Sequence, residues 1–192
     1  MKKIIIFTGD IVFGGAERVS VYLANYFSKI GIEVYLITPS SYESVYNLNN
    51  VNHICLNIKK NIGTVNRYRL MIKELRKKIK DLSPDVILSI MSYYGAVASI
   101  ASIGFKVPVV VSERIDPENA KGRTKLQKLF FKVIFSVLAN GVVFQTKEAM
   151  KYYPKLVQKK STIIPNPLFN KNIPRKKFTV QDSKIIVSVG RL

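Results

Sequence analysis

The sequence is short of the side chains that build disulfide frameworks and ordinary zinc sites. Its 192 residues include one cysteine, Cys55, one histidine, His53, and no tryptophan. A disulfide framework needs several cysteines, and a structural zinc site needs about four Cys or His ligands, so both are excluded. Catalysis by a Cys–His pair would have to use these two residues, which lie close together in one predicted strand. We therefore predict neither a metal site nor a cofactor.

Long hydrophobic runs are also missing. No stretch approaches the ~20 apolar residues that cross a bilayer. The longest candidate, residues 129–139, is interrupted by Lys132 and Ser136, and the first apolar run of the chain ends at Phe7, too early for a signal peptide. These features predict a cytoplasmic protein that contacts a membrane only at its surface.

Acidic residues are scarce: 12 Asp and Glu stand against 31 Lys and Arg, which gives a formal net charge of +19. Such an excess is typical of proteins that meet phosphate, carried by nucleic acid, by anionic lipid headgroups or by phosphorylated substrates. The chain also lacks the clustered carboxylates that a metal-dependent enzyme would use. On composition alone, a basic α/β module that binds nucleic acid therefore remains an open interpretation of this chain.

Short apolar runs alternate with longer helical patterns along the chain. This alternation is typical of βαβ units, in which a parallel sheet is buried between helices on both faces. We predict a doubly wound, mostly parallel α/β sheet of the Rossmann type, with its functional edge at the carboxyl ends of the strands. The predicted strands are residues 3–8, 33–38, 52–56, 85–90, 109–112, 141–145 and 162–164.

A pair of glycines, Gly14 and Gly15, separates the first strand from a helical pattern that begins near Ala16. Gly9 and Gly14 have the spacing of a P-loop, but Gly15 and Ala16 stand where that motif needs Lys and Ser or Thr. Glycines before a helix let the backbone approach an anion at the positive end of the helix dipole. The other interpretation is a tight turn that needs a positive φ. Both interpretations remain open.

Four short segments follow one another along the chain: GGAERV at 14–19, PVVVSER at 108–114, IIPNPL at 163–168 and IVSVGRL at 186–192. In order and spacing they resemble segments of family 4 glycosyltransferases, the retaining group of the GT-B fold. The resemblance implies that residues 1–169 form the amino-terminal, acceptor-side Rossmann-like domain. It also implies that residues 170–192 are a linker and the first strand of a donor-binding domain absent from this chain.

The activity that the resemblance implies is transfer of a sugar from a nucleotide-sugar to a glycan or lipid-linked acceptor, in cell-surface polysaccharide or lipid-linked oligosaccharide assembly. The complete enzyme would be a retaining, metal-independent hexosyltransferase, and the isolated chain is expected to be inactive. The resemblance places Gly14 and Gly15 at the turn facing the interdomain cleft, and Glu113 and Arg114 at the cleft end of a strand.

Glu113 and Arg114 are therefore candidates to contact substrate. A carboxylate can orient a sugar hydroxyl, and the planar guanidinium of Arg114 can bind a phosphate. The alternative is a local ion pair with Asp116 that braces the loop. No catalytic residue is assigned, because many family members have a histidine where this chain has Arg114, and His53 belongs to an unrelated strand. Asn166, before Pro167, is expected to shape a turn.

The predicted helix at residues 124–139 carries lysines at steps of three and four. Its core face is expected at Leu126, Phe130, Val133 and Val137, which leaves two aromatic rings beside the lysines. Aromatic rings next to ammonium groups suit an anionic membrane surface, here the inner face of the cell membrane. The alternative is that the rings pack under a neighbouring element and the lysines are solvated. The predicted membrane-facing residues are Lys121, Lys125, Lys128, Phe131, Lys132 and Phe135.

The basic residues argue against nucleic acid as the partner. They form helical stripes without interleaved aromatics on an exposed sheet, and no RNA-binding signature accompanies them. The predicted partners are a nucleotide-sugar donor, bound mostly by the absent domain, a glycan or lipid-linked acceptor, and an anionic membrane surface.

Overall fold

A computed structural model of the chain describes residues 2–12, 14–40, 45–118 and 124–167. Every strand predicted within these residues is present, with ends shifted by no more than one residue. The strands are β1 (Lys3–Phe7), β2 (Glu33–Thr38), β3 (Asn52–Cys55), β4 (Val86–Ile90), β5 (Val109–Ser112), β6 (Gly141–Phe144) and β7 (Ser161–Ile163). The helices are α1 (Gly15–Lys29), α2 (Thr64–Leu82), α3 (Ser92–Ala101), α4 (Lys125–Val137), α5 (Lys147–Lys151) and α6 (Lys155–Gln158).

The strands form one parallel sheet in the order β3-β2-β1-β4-β5-β6-β7. The chain builds outward from β1 to β3, then returns to β4 beside β1 and builds outward in the other direction. The predicted doubly wound parallel α/β fold is confirmed. In such a sheet the order of the strands reverses between β1 and β4, and ligands bind at the carboxyl edge beside this switch point.

Helices cover both faces of the sheet, and β1 shows how the two cores divide. Ile4 and Ile6 of β1 pack with Val21 of α1 on one face. Ile5 and Phe7 pack on the other face, against residues of α2, α3 and α4. Successive side chains of a strand point to opposite faces, so a strand buried on both sides appears in the sequence as an uninterrupted apolar run.

Helix α4 turns toward the core the face that was expected to be exposed. Phe131 is 5% exposed and Phe135 is 0% exposed, so the prediction that these two rings face a membrane is wrong. Phe135 stacks between Phe131 and Tyr153, with ring centroids 6.1 and 5.9 Å away. The side chains expected in the core are exposed instead: Leu126, Phe130, Val133 and Val137.

The small residues of α3 explain this choice of face. α3 packs against α4. A Cβ added to its Gly95 would overlap Val111 and lie 3.3 Å from Cε1 of Phe135. Large aromatic rings pack closely against a helix only where that helix carries small side chains, because protein interiors are nearly void-free. Both faces of α4 are apolar, so the spacing of its residues alone could not show which face would meet α3.

The lysines of α4 are only partly available to a partner. Lys125 is exposed, whereas Nζ of Lys132 lies 3.8 Å from the centroid of the Tyr152 ring and Nζ of Lys128 donates to the carbonyl of Glu118. Lys121, the fourth lysine of the predicted row, lies outside the described residues, as do residues 170–192. Among the described residues, no helix is both long and apolar enough to cross a bilayer.

Replacing Phe135 by alanine should lower the free energy of unfolding by about 3–5 kcal/mol, since the substitution leaves a cavity under α3. Leu126→Ala, on the exposed face of the same helix, should change it by no more than about 0.5 kcal/mol. Urea denaturation followed by circular dichroism measures both changes. Equal losses in the two variants would contradict the orientation of α4.

Candidate functional site

The candidate site lies at the carboxyl edge of the sheet, where the loops that follow β1, β4 and β5 meet. Because these strands are neighbours in the sheet, the edge brings together Gly14 and Gly15, Met91, and the predicted pair Glu113 and Arg114. Strands β1 and β5 are two positions apart, roughly 10 Å. The four predicted substrate-binding residues therefore lie on one edge, on the two sides of β4.

Backbone strain does not explain why glycines occupy the turn at Gly14 and Gly15. Gly14 is the N-cap of α1 and has an extended backbone, with φ 160°, whereas the glycines in the left-handed region among the described residues are Gly31 and Gly104, each with φ 85°. A Cβ on Gly14 would overlap the carboxylate of Glu17, whereas a Cβ on Gly15 would meet nothing within 4 Å in the described part of the chain. The interpretation as a turn that needs a positive φ is therefore wrong.

Gly15 opens α1, and its N-cap residue, Gly14, has no side chain with which to cap the helix. The first N–H groups of a helix lack partners within the helix and carry the positive end of its dipole. There is open space at Gly15 where a side chain would be, while the carboxylate of Glu17 lies beside Gly14. The described structure therefore leaves room for a ligand to approach the backbone at Gly15.

Glu113 is buried, with 2% of its surface exposed. Its carboxylate accepts hydrogen bonds from the hydroxyl of Ser92, from the hydroxyl of Tyr153 at 2.9 Å, and from the backbone N–H of Arg114 at 3.2 Å. The carboxylate points into the protein, whereas the prediction that it orients a sugar hydroxyl requires it to face the cleft. It ties the end of β5 to the start of α3 and so positions Arg114.

Arg114 reaches across the edge to the segment that follows β7. Its Nη1 donates to Oδ1 of Asn166 at 2.6 Å, and the same oxygen accepts from Nε2 of Gln145 at 3.0 Å. Arg114 is therefore bound to Asn166, 52 positions later in the chain, whereas the sequence had suggested an ion pair with Asp116. Asn166, expected to shape a turn, joins the ends of β5, β6 and β7 through its side chain.

The guanidinium of Arg114 is an incompletely neutralised cation. Among the described residues no carboxylate lies within 4.0 Å of it, and its Nε is buried without a hydrogen-bond partner. Burial lowers the pKa of Arg114 from its ordinary value, because a charged group partly removed from water loses hydration. An anion against this side chain would restore favourable interactions, so the end of β5 favours a phosphate or carboxylate ligand.

Two features of this edge escaped the sequence analysis. Met91, directly after β4, has φ 75°, a conformation that side chains other than glycine rarely adopt. Strain of this kind tends to collect at functional sites, and Met91 lies between the glycine turn and Arg114. No sequence signal marks such a residue, because methionine has no preference for this conformation.

Asp10, in the loop after β1, is the second feature, and its place after a strand could have shown it. It forms an ion pair with Lys60 at 3.5 Å and accepts from the backbone N–H of Ser40 at 2.9 Å. Burial, with a smaller contribution from the charge of Asp10, raises the pKa of Tyr94 to about 12. Tyr94 therefore stays a neutral phenol, and its hydroxyl lies 3.1 Å from where a Cβ on Gly9 would be.

His53 lies far from Arg114. It belongs to β3, four strand positions or roughly 19 Å from β5. Its Nε2 pairs with the hydroxyl of Thr38 at 2.9 Å, and burial lowers its pKa. In the described structure His53 is therefore too far away to take the place of a histidine at the end of β5.

The carboxyl edge of this parallel α/β sheet thus carries an open glycine at a helix start and, two strands away, an arginine without a carboxylate partner among the described residues. Residues 13–168 match the model of Glycosyltransferase Family 4, and the chain belongs to this family. It is 24% identical over 193 aligned residues to an uncharacterized glycosyltransferase of Haemophilus influenzae, covering all of this chain and 54% of that protein.

Solved structures show the fold. Sucrose-phosphate synthase from Thermosynechococcus elongatus superposes with a TM-score of 0.70 at 13% identity, over 86% of this chain and 48% of that one. The lipopolysaccharide outer core galactosyltransferase WaaB, in its apo form, gives 0.68 at 15% identity, over 93% and 50%. UDP-GlcNAc 2-epimerase from Neisseria meningitidis, bound to UDP-GlcNAc, gives 0.63 at 16%, over 85% and 47%. The chain spans about half the length of each of these relatives.

Removing either hydroxyl that donates to Glu113 should destabilise the protein, because a buried carboxylate would lose a partner. Tyr153→Phe and Ser92→Ala should each lower the free energy of unfolding by about 1–3 kcal/mol. Tyr26→Phe, at an exposed position, is the control and should cost less than about 0.5 kcal/mol. If Tyr153→Phe costs the same in a Glu113→Ala background, the hydrogen bond to Glu113 does not carry the effect.

Proposed function

We propose that the protein is a retaining glycosyltransferase that moves a hexose from a nucleotide-sugar to a glycan or lipid-linked acceptor. In this proposal residues 1–169 are its amino-terminal, acceptor-side half, and residues 170–192 lead into a donor-binding half. The observation that carries the proposal is the family match over residues 13–168, which spans both the glycine turn and the Glu113–Arg114 pair. Coverage of about half of each relative supports the division into halves.

The chemistry of sugar transfer fits the charges at this edge. As the bond between the anomeric carbon and the diphosphate oxygen breaks, negative charge grows on the leaving diphosphate. Preorganised N–H groups and cations lower the energy of such a transition state. The N–H groups that open α1 at Gly15 and the guanidinium of Arg114 lie on two sides of β4, and both favour an anion between them.

Glu113 acts in this proposal as a positioning residue. Its buried carboxylate fixes the backbone of Arg114 through the N–H of that residue, while Asn166 holds the other end of the side chain. The guanidinium is therefore set in place before the substrate arrives, which avoids the entropy cost of ordering a long side chain during the reaction.

The fold alone does not choose between sugar transfer and related chemistry, since UDP-GlcNAc 2-epimerase shares it. Family membership favours transfer, and it also favours sugar chemistry over the nucleic-acid alternative. We place the reaction at the cytoplasmic face of the cell membrane, in cell-surface polysaccharide or lipid-linked oligosaccharide assembly, because the excess of 31 basic over 12 acidic residues suits an anionic surface.

In the complete gene product, Gly15→Val should abolish sugar transfer while leaving the fold intact. The new side chain has open space in the free protein but occupies the approach to the first N–H groups of α1. Transfer of radiolabelled sugar from UDP- and GDP-sugars, with products separated so that epimers are distinguished from glycosides, measures the effect.

The matched control for Gly15→Val is Gly141→Ala, at the opposite edge of the sheet, where a new Cβ would make ordinary contacts at 3.7 Å or more. The control should retain transfer. Activity near the wild-type level in Gly15→Val, with normal circular dichroism in both variants, would show that the glycine turn has no part in binding.

The isolated 192-residue chain should show no transfer and only weak binding of nucleotide-sugars, because the proposal assigns the donor mainly to the other half. Calorimetric titration with UDP- and GDP-sugars, beside the complete gene product, measures this. Tight binding by the isolated chain would overturn the assignment of roles to the two halves.

A further inference from the structure

The outer face of α4 is an apolar surface without cover in the described structure. Its side chains range from 39% exposed, for Phe130, to 74% exposed, for Leu126. A soluble helix normally shows polar residues on its outward side. The α4 outer face consists of Leu126, Leu129, Phe130, Val133 and Val137.

This face lies directly opposite the buried one. With successive residues about 100° apart around a helix, its five side chains fall within an arc of roughly 100°. Phe131 and Phe135 lie on the other side of the helix, against α3 and Tyr153. The exposed side chains are therefore not the rim of the core but a second, separate apolar stripe.

Basic residues border the stripe on one side. Lys125 and Lys132 adjoin it on the helix surface, and α4 contains no Asp or Glu. Helix α6 packs beside α4 and adds Lys155, which is exposed, as is Lys151 on α5. An apolar stripe with a basic margin is the pattern of helices that lie in the interface of an anionic bilayer.

We propose that the α4 outer face docks into the surface of an anionic lipid bilayer. The apolar side chains enter the boundary between headgroups and acyl chains, and the lysine ammonium groups meet the headgroup phosphates. At 1.5 Å per residue, the 13-residue helix lies along about 20 Å of the surface. The inference rests on the proposed function only for the purpose of docking, which is access to a lipid-linked acceptor. The docking surface itself is inferred from the burial and charge of its residues.

The charges favour lipid over a second copy of the chain. A two-fold interface through this stripe would pair two helices that carry lysines and no Asp or Glu, so no ion pair between the helices would offset their repulsion. Each copy also carries a formal net charge of +19, so the approach is opposed at ordinary ionic strength. An anionic bilayer reverses the sign of this interaction and attracts the same lysines.

Co-sedimentation of the complete gene product with vesicles tests the proposal, using phosphatidylcholine alone and phosphatidylcholine with phosphatidylglycerol, each at low and high salt. No donor or acceptor is present, so the result is independent of whether sugar transfer is found. The wild-type protein should bind the anionic vesicles at low salt and bind phosphatidylcholine much more weakly.

The triple variant Leu126→Gln, Leu129→Gln, Val133→Gln keeps helix-forming side chains and removes the centre of the stripe. Its partition onto anionic vesicles should fall about tenfold or more at both salt concentrations, since apolar insertion is not screened. Lys125→Gln with Lys155→Gln should weaken binding at low salt and little at high salt, where charges are already screened.

Ile30→Gln is the control, because this isoleucine is exposed at the end of α1, which packs on the opposite face of the sheet from α4. This control should bind vesicles as the wild-type protein does. The triple variant should retain transfer to a water-soluble acceptor, which separates loss of docking from loss of catalysis.

Three results would overturn the proposal: a wild-type protein that stays in the supernatant with anionic vesicles at low salt, a triple variant that binds as tightly as the wild-type protein, or vesicle binding lost equally in the isoleucine control. Sedimentation velocity gives a fourth. A dimer that the triple variant abolishes would assign the face to a second copy of the chain.

Discussion

The parallel direction of the strands is the constraint on which the site depends. All strands of the described sheet end at one edge, so residues far apart in sequence meet there without any contact being specified between them. Gly15 follows β1 and Arg114 follows β5, about 100 residues later, yet only β4 separates their strands. The two groups thus owe their proximity to strand order, which the return of the chain to β4 beside β1 produces.

A buried carboxylate fixes the geometry of that edge. The buried carboxylate of Glu113 loses its hydration and instead accepts hydrogen bonds from Ser92, Tyr153 and a backbone N–H group. These hydrogen bonds join β5 to α3 and to the segment between the two helices that follow β6. Leaving a buried carboxylate short of partners costs more than the bonds contribute, so the network holds its members in one arrangement. Arg114 gains a fixed position, but its own charge remains without a carboxylate partner in the described structure.

Helix α4 shows how packing on one side of an element creates a property on the other. The low surface of α3 at Gly95 accepts Phe135, and this choice turns Leu126 and Val133 outward. The apolar outer stripe and its basic margin are consequences of that packing. The proposed membrane contact therefore moves from Phe131 and Phe135 to the opposite face of the helix, because burying one apolar stripe of α4 exposes the other.

The sequence by itself determined the class of fold and the location of the candidate site. Apolar runs of strand length, separated by helical patterns, encode a parallel sheet because burial on both faces demands them. The resemblance to family 4 glycosyltransferases, carried by short segments at strand ends, predicted that Gly14, Gly15, Glu113 and Arg114 lie at one edge. Only the tertiary structure decided what each residue does there: the inward turn of Glu113, the reach of Arg114 to Asn166, the strain at Met91 and the orientation of α4. These depend on which surfaces meet, and a local pattern cannot specify its neighbours when, as in α4, two faces satisfy it equally well.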